Sequence, residues 1–129
     1  MFRIELLPAA HGDALWIEYG SQKSPHRIVI DGGPASTYER GLRQRILSLP
    51  KSDRRVDLFV VTHIDSDHID GAIILLREAR ALGLTLGEVW FNAWDQIAPV
   101  GVPTFEPIQG EFLSALLDGA AMRNRWTTI

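Results

Sequence analysis

The chain of 129 residues contains no cysteine. That excludes disulfides, thiolate metal ligands and a cysteine nucleophile. Any metal would have to be held by His, carboxylate, backbone carbonyl or water. Histidine is also scarce: His11, His26, His63 and His68 are all there are, and none follows position 68. Long apolar runs are missing, since none approaches the roughly 20 residues of a membrane-spanning helix. A large excess of one charge is missing too. The net charge of -3 gives no bulk reason to expect a nucleic-acid or membrane binder. The start, MFRIELLPAAHGD, carries Glu5 where a secretory signal would be apolar, so the cytoplasm is the expected location.

What is present fits an ordinary globular chain, with 46% hydrophobic and 22% charged residues. Residues 1–129 are expected to form one domain, burying roughly two-thirds of the unfolded surface. FRIELL (2–7), DALWIEY (13–19) and HRIVID (26–31) read as short strands separated by Pro8, GSQKSP and Gly32-Gly33-Pro34. Three such runs joined by turns predict an antiparallel meander. Ser36-Thr37-Tyr38-Glu39 has the capping-box pattern, with Leu42, Ile46 and Leu49 on one face of the helix that follows. KSDRR reads as an exposed charged loop, its Lys51, Arg54 and Arg55 a small solvated basic cluster. VDLFVVT (56–62) is nearly continuous in apolar residues and predicts a buried central strand. Asp70 is expected to cap a second helix ending at Gly83. LGEVWF (86–91) reads as a further strand and 92–109 as a proline-bearing loop. Residues 111–122 predict a third helix with Phe112, Leu116 and Leu113 inward. The sum is a mixed α/β (α+β) layout with helices packed on a sheet.

The densest chemistry lies in VVTHIDSDHIDG, residues 60–71. Ligand sites in open α/β sheets lie beyond the C-terminal ends of strands, where this stretch falls. One Asp there would be a solvated or capping residue. Two His and two Asp within six residues need more, because only Asp70 has an evident capping role. Alternating positions on an extended segment group His63, Asp65 and Asp67, with His68 turning inward as a helix begins. Imidazole and carboxylate form the compact shell that Zn²⁺ takes, and four ligands can serve two adjacent ions. Calcium in an EF-hand loop fails the count from Asp65: Ile69 at the fifth position, Asp70 where Gly is needed, and Leu76 where Glu is needed. A Ser66-based triad lacks a separate base and an oxyanion-hole motif.

THIDSDHIDG resembles the H-x-H-x-D-H signature of the metallo-β-lactamase fold superfamily, in the H-x-D-x-D-H form of ComEC/Rec2-like domains. HGDALWIEYG (11–20) and IVIDGGP (28–34) are similar to the two strands that precede that signature. The resemblance covers roughly residues 1–95 and implies the first half of an αβ/βα sandwich with a dinuclear site. It implies His63 and Asp65 on one metal, Asp67 and His68 on the second, and Asp67 as the catalytic carboxylate orienting the attacking water. Asp31 would support the loops, with His11 and Asp13 near the pocket; otherwise His11 and His26 are ordinary surface or strand histidines. Asp65 in place of His moves the metal preference from Zn²⁺ towards Mn²⁺.

The family adds a downstream His, a bridging Asp and a last His; no histidine here can fill those places. The expectation is therefore an N-terminal part of the domain whose exposed inner sheet face seeks a partner chain. Two functions follow. One is hydrolysis of a small-molecule or nucleic-acid ester or phosphodiester by metal-activated water. The other is a non-catalytic interaction module, a truncated remnant that works by docking on another chain.

Overall fold

The computed structural model describes residues 1–91 and 108–119. The loop expected over 92–109 lies outside them as far as residue 107, and so does the RNRWTTI end. Five strands form one mixed sheet in sequence order: β1 (Phe2–Leu6), β2 (Leu15–Gly20), β3 (Pro25–Ile30), β4 (Arg55–Val61) and β5 (Thr85–Phe91). The first three pair antiparallel, as the expected meander. β3–β4 and β4–β5 pair parallel. Parallel neighbours require a crossover, and helices supply it. Between β3 and β4 run α1 (Ala35–Tyr38), a π-helical stretch (Glu39–Arg43) and α2 (Gln44–Leu47). Between β4 and β5 runs α3 (Ser66–Leu82), and α4 (Ile108–Gly119) is the last described element.

Register places the core. Trp16, Val29, Phe59 and Val89 are cross-strand neighbours in one row, and all four are buried. Tyr38, Leu42 and Ile46 from the first crossover, Ile69 and Leu75 from α3, and Leu113 and Leu117 from α4 belong to the same apolar cluster. Each large side chain buried this way stabilises the fold by roughly 1.5–3 kcal/mol before entropy is counted. The reverse face carries the alternate residues. Phe2 pairs with Tyr19, Ile4 with Ile17, and Leu6 with Leu15. That face is much less covered: Phe2 is 71% and Leu6 76% exposed, while Leu15, Ile17, Ile28, Ile30, Leu58 and Val60 are half-buried. No helix among the described residues is long and apolar enough to cross a membrane.

Four local expectations are corrected. The first helix starts at Ala35 from Pro34, with no side-chain cap, so Ser36 lies inside it. Proline's fixed φ suits the entry to a helix and moves the start ahead of the capping-box serine. α3 starts at Ser66, not after Asp70, because the N–H groups of His68 and Ile69 already bond to the Asp65 carbonyl. Within α4, Leu113 and Leu117 are buried while Phe112 is exposed and Leu116 half-buried. The helix begins at Ile108, and its inward stripe is the i, i+4 pair at 113 and 117. Within KSDRR, Lys51 and Ser52 are exposed, but Arg54 reaches the carbonyls of Leu82 (2.8 Å) and Leu49 (3.4 Å). It serves helix ends, where a cation is favoured, and is not a solvated patch. Gly83 does terminate α3, with φ 65° in the left-handed region that glycine adopts without penalty.

Candidate metal centre

The C-terminal ends of β3 and β4 are adjacent, and the chain leaves both towards the first turn of α3. Asp31 follows β3 directly. Its φ is 59°, a left-handed value that few residues besides glycine, Asn and Asp adopt. Its N–H bonds to the Val60 carbonyl at 2.8 Å, which continues the β3–β4 ladder one step further. The chain then passes through Gly32 and Gly33 against the start of α3. Gly32 N–H bonds to the His68 carbonyl at 2.9 Å and Gly71 N–H to the Gly33 carbonyl at 2.8 Å. A Cβ on Gly32 or Gly71 would overlap the opposing backbone, so the two glycines permit this approach. Gly12 does the same for the β1–β2 loop, where a Cβ would overlap the Asp67 carbonyl. The HGD, DGG and H-x-D-x-D-H segments thus meet as three backbones in contact.

Their side chains converge. Asp31 is only 2% exposed. Its Oδ1 accepts the Thr62 backbone N–H at 2.8 Å. Its Oδ2 meets the Thr62 hydroxyl at 2.6 Å and His68 Nδ1 at 3.0 Å. Thr62 Oγ1 lies 2.8 Å from His63 Nδ1. The rings of His63 and His68 sit 3.7 Å apart between centroids, tilted by 45°. On their other nitrogens, His63 Nε2 is 3.7 Å from Asp65 Oδ2 and His68 Nε2 is 3.6 Å from Asp67 Oδ2. Asp13 Oδ2 lies 3.8 Å from His68 Nδ1, beyond hydrogen-bond reach.

Each expected ligand can now be placed. His63 and Asp65 lie ahead of α3, whereas Asp67 and His68 are in its first turn. The extended alternation expected through Asp67 therefore stops at Asp65. The gathering of His63, Asp65 and Asp67 is nonetheless real. One ligand atom from each lies within 4.8 Å of the others, and the same holds for Asp31, His63 and His68. The two groups share His63. Ligand atoms on one tetrahedral ion with bonds of about 2.1 Å stand roughly 3.4 Å apart. The two N–O separations of 3.6 and 3.7 Å are close to that spacing. The donor set also fits by charge. Among the described residues, no Lys or Arg pairs with Asp13, Asp31, Asp65 or Asp67.

Other candidates fall away or shift. Ser66 has no histidine hydrogen-bond partner among the described residues, so a triad finds no geometry there. His11 is exposed on the β1–β2 loop. His26 stacks on Tyr19 at 5.1 Å and faces Asp57 at 3.6 Å, as an ordinary strand histidine. Asp70 lies inside α3, where burial raises its carboxyl above the ordinary value. Thr62 was not singled out from the sequence, although it touches both Asp31 and His63. The one signal for it was its position, as the first hydroxyl residue after an apolar strand and next to a candidate ligand. No protein-family model matches the chain, and no curated protein matches it significantly.

Proposed function

We propose that the chain is a metal-dependent hydrolase domain, resembling the first half of a metallo-β-lactamase-like αβ/βα sandwich, that acts on an ester or phosphodiester. The observation that carries this reading is the gathering of His63, Asp65 and Asp67 with His68 beside them, and among the described residues no Lys or Arg pairs with these carboxylates. His63 and Asp65 would hold one ion, and Asp67 and His68 a second. When bound, a divalent ion lowers the pKa of water and neutralises charge that builds on the substrate oxygen. Asp67, partly open to solvent, would orient the attacking water. Asp31 is buried and hydrogen-bonded on both oxygens, which suits holding the loops more than ligation. The oxygen-rich set favours Mn²⁺ as well as Zn²⁺. Carboxylate, carbonyl, water or a partner chain would complete the coordination.

The test is metal content with hydrolysis. Protein dialysed against Zn²⁺ or Mn²⁺ should retain metal and hydrolyse an activated phosphodiester or ester, and Asp67→Ala should abolish the hydrolysis. Absence of metal uptake sinks the reading. A second reading is favoured by the exposed apolar residues of β1: an interaction module that docks on another chain. Metal retention without hydrolysis on a broad ester panel would favour that one.

A further inference from the structure

We propose that Asp31, with Thr62 as a relay, fixes the tautomers of both site imidazoles, so that His63 and His68 each present an Nε2 lone pair as a ready ligand. The inference rests on the metal-site reading for its purpose, but not for its geometry. The argument is proton bookkeeping along one chain of contacts. A carboxylate only accepts hydrogen bonds, and a hydroxyl has a single proton to give. Asp31 Oδ2 sits 2.6 Å from Thr62 Oγ1, so the Thr62 proton is committed to Asp31. With that proton spent, Thr62 Oγ1 can only accept from His63 Nδ1 at 2.8 Å. His63 therefore carries its proton on Nδ1. The same Asp31 oxygen lies 3.0 Å from His68 Nδ1, which must donate to it. Asp13, at 3.8 Å, is too far to compete for that proton.

In its neutral form each ring is thus protonated on Nδ1 and bare on Nε2. The bare nitrogens are the ones facing Asp65 and Asp67. A ring in the opposite tautomer would aim an N–H at those carboxylates and would have to lose it before ligation. Asp31 and Thr62 are positioning residues, and one carboxylate serves two ligands. Removing partners of this kind typically weakens metal affinity about 10–100-fold. The backbone N–H of Thr62, held by Asp31 Oδ1 at 2.8 Å, keeps the relay in place.

The experiment is long-range ¹⁵N–¹H NMR of the imidazoles in metal-free protein, in mildly alkaline buffer where a reference imidazole is neutral. His11→Gln and His26→Gln in the background leave only the two site rings to assign. The result expected is Nδ1–H on both. Thr62→Val should release His63 to a mixture of tautomers and leave His68 unchanged, and Thr62→Ser should restore it. Asp31→Asn should disturb both rings. Zn²⁺ binding by calorimetry should weaken about 10–100-fold in Thr62→Val and recover in Thr62→Ser. An Nε2–H ring at His63 or His68 in the parent protein overturns the proposal, whether or not any variant folds. An unchanged His63 in Thr62→Val overturns the relay. Fixed tautomers with no Zn²⁺ binding would refute the metal reading alone, whereas Zn²⁺ binding with unfixed tautomers would refute this inference alone.

Discussion

Strand β3 has a polar cluster at each end, and the two differ in how charge is balanced. At its start, Arg27 is 3% exposed and donates to Glu18 at 3.2 Å and to Asp53 at 2.7 Å. Arg45 adds a second cation, 3.2 Å from Glu18 and stacked over the Trp16 ring at 4.5 Å. Burial raises the Glu18 carboxyl, but the neighbouring Trp16 indole, Arg27 and Arg45 more than reverse this and leave it below the ordinary value of 4.5. The indole N–H is buried with no hydrogen-bond partner among the described residues. At the other end of the strand, Asp31, Asp65 and Asp67 surround two imidazoles with no Arg or Lys among the described residues. The first cluster is internally neutralised and serves stability. The second is left short of positive charge and is suited to receive it from outside.

Four predictions break or sharpen that contrast, from the largest effect to the smallest. Arg27→Met should be the most damaging change, because it leaves the buried Glu18 with Arg45 as its remaining cation and removes the Arg27 bonds to Asp53 and to the Asp53 and Arg55 carbonyls. Removing one partner of a buried pair costs about 3–5 kcal/mol, readable by urea denaturation. Adding Zn²⁺ or Mn²⁺ at about a hundredfold over its dissociation constant should raise stability by roughly 2.7 kcal/mol. Thermal unfolding should show that gain in the parent protein and lose it in His63→Ala. Asp31→Asn should cost about 1–3 kcal/mol without metal, since the amide turns a donor towards groups that themselves donate. Asp70→Asn should be the mildest, within about 1 kcal/mol and stabilising at neutral pH.

The pH dependence separates the same groups. Glu18 and Asp53 are held low, Asp53 chiefly by its hydrogen bond from Arg27. Their contribution is present above the unfolded values and is lost as pH falls through the lower folded ones. Asp70 is raised by burial, so the folded state binds its proton more tightly than the unfolded chain does. Its contribution has the opposite sign: stability falls as pH rises from the ordinary 3.8 through the raised value. A stability profile of Asp70→Asn should lack that fall and keep the acid loss due to Glu18 and Asp53.

Much of this was legible in the sequence. Alternation gave β1 to β3 as a meander, and the apolar run gave β4, because period and turn residues are local signals. The candidate ligands His63, Asp65, Asp67 and His68 were legible because they lie within six residues of one another. Where helices begin was not. Pro34 outranked the capping box, and the Asp65 carbonyl started α3 well ahead of Asp70. Both outcomes rest on local backbone bonds, Thr37 N–H to Pro34 and His68 and Ile69 N–H to Asp65, and not on side-chain pattern. The roles of Arg27 and Thr62 were hidden for a different reason, distance along the chain. Arg27 meets Asp53 across 26 residues, and Thr62 meets Asp31 across 31.

Asp31 meets two demands that rarely coincide. Its left-handed backbone would accept glycine or asparagine, and its hydrogen bonds require a carboxylate at short reach. Glycine satisfies the first and fails the second, asparagine gives the shape without the charge, and glutamate gives the charge with a longer arm on a strained backbone. Position 31 therefore works as a one-letter alphabet. A survey of all substitutions there should find each failing in its own way, with asparagine keeping the fold best.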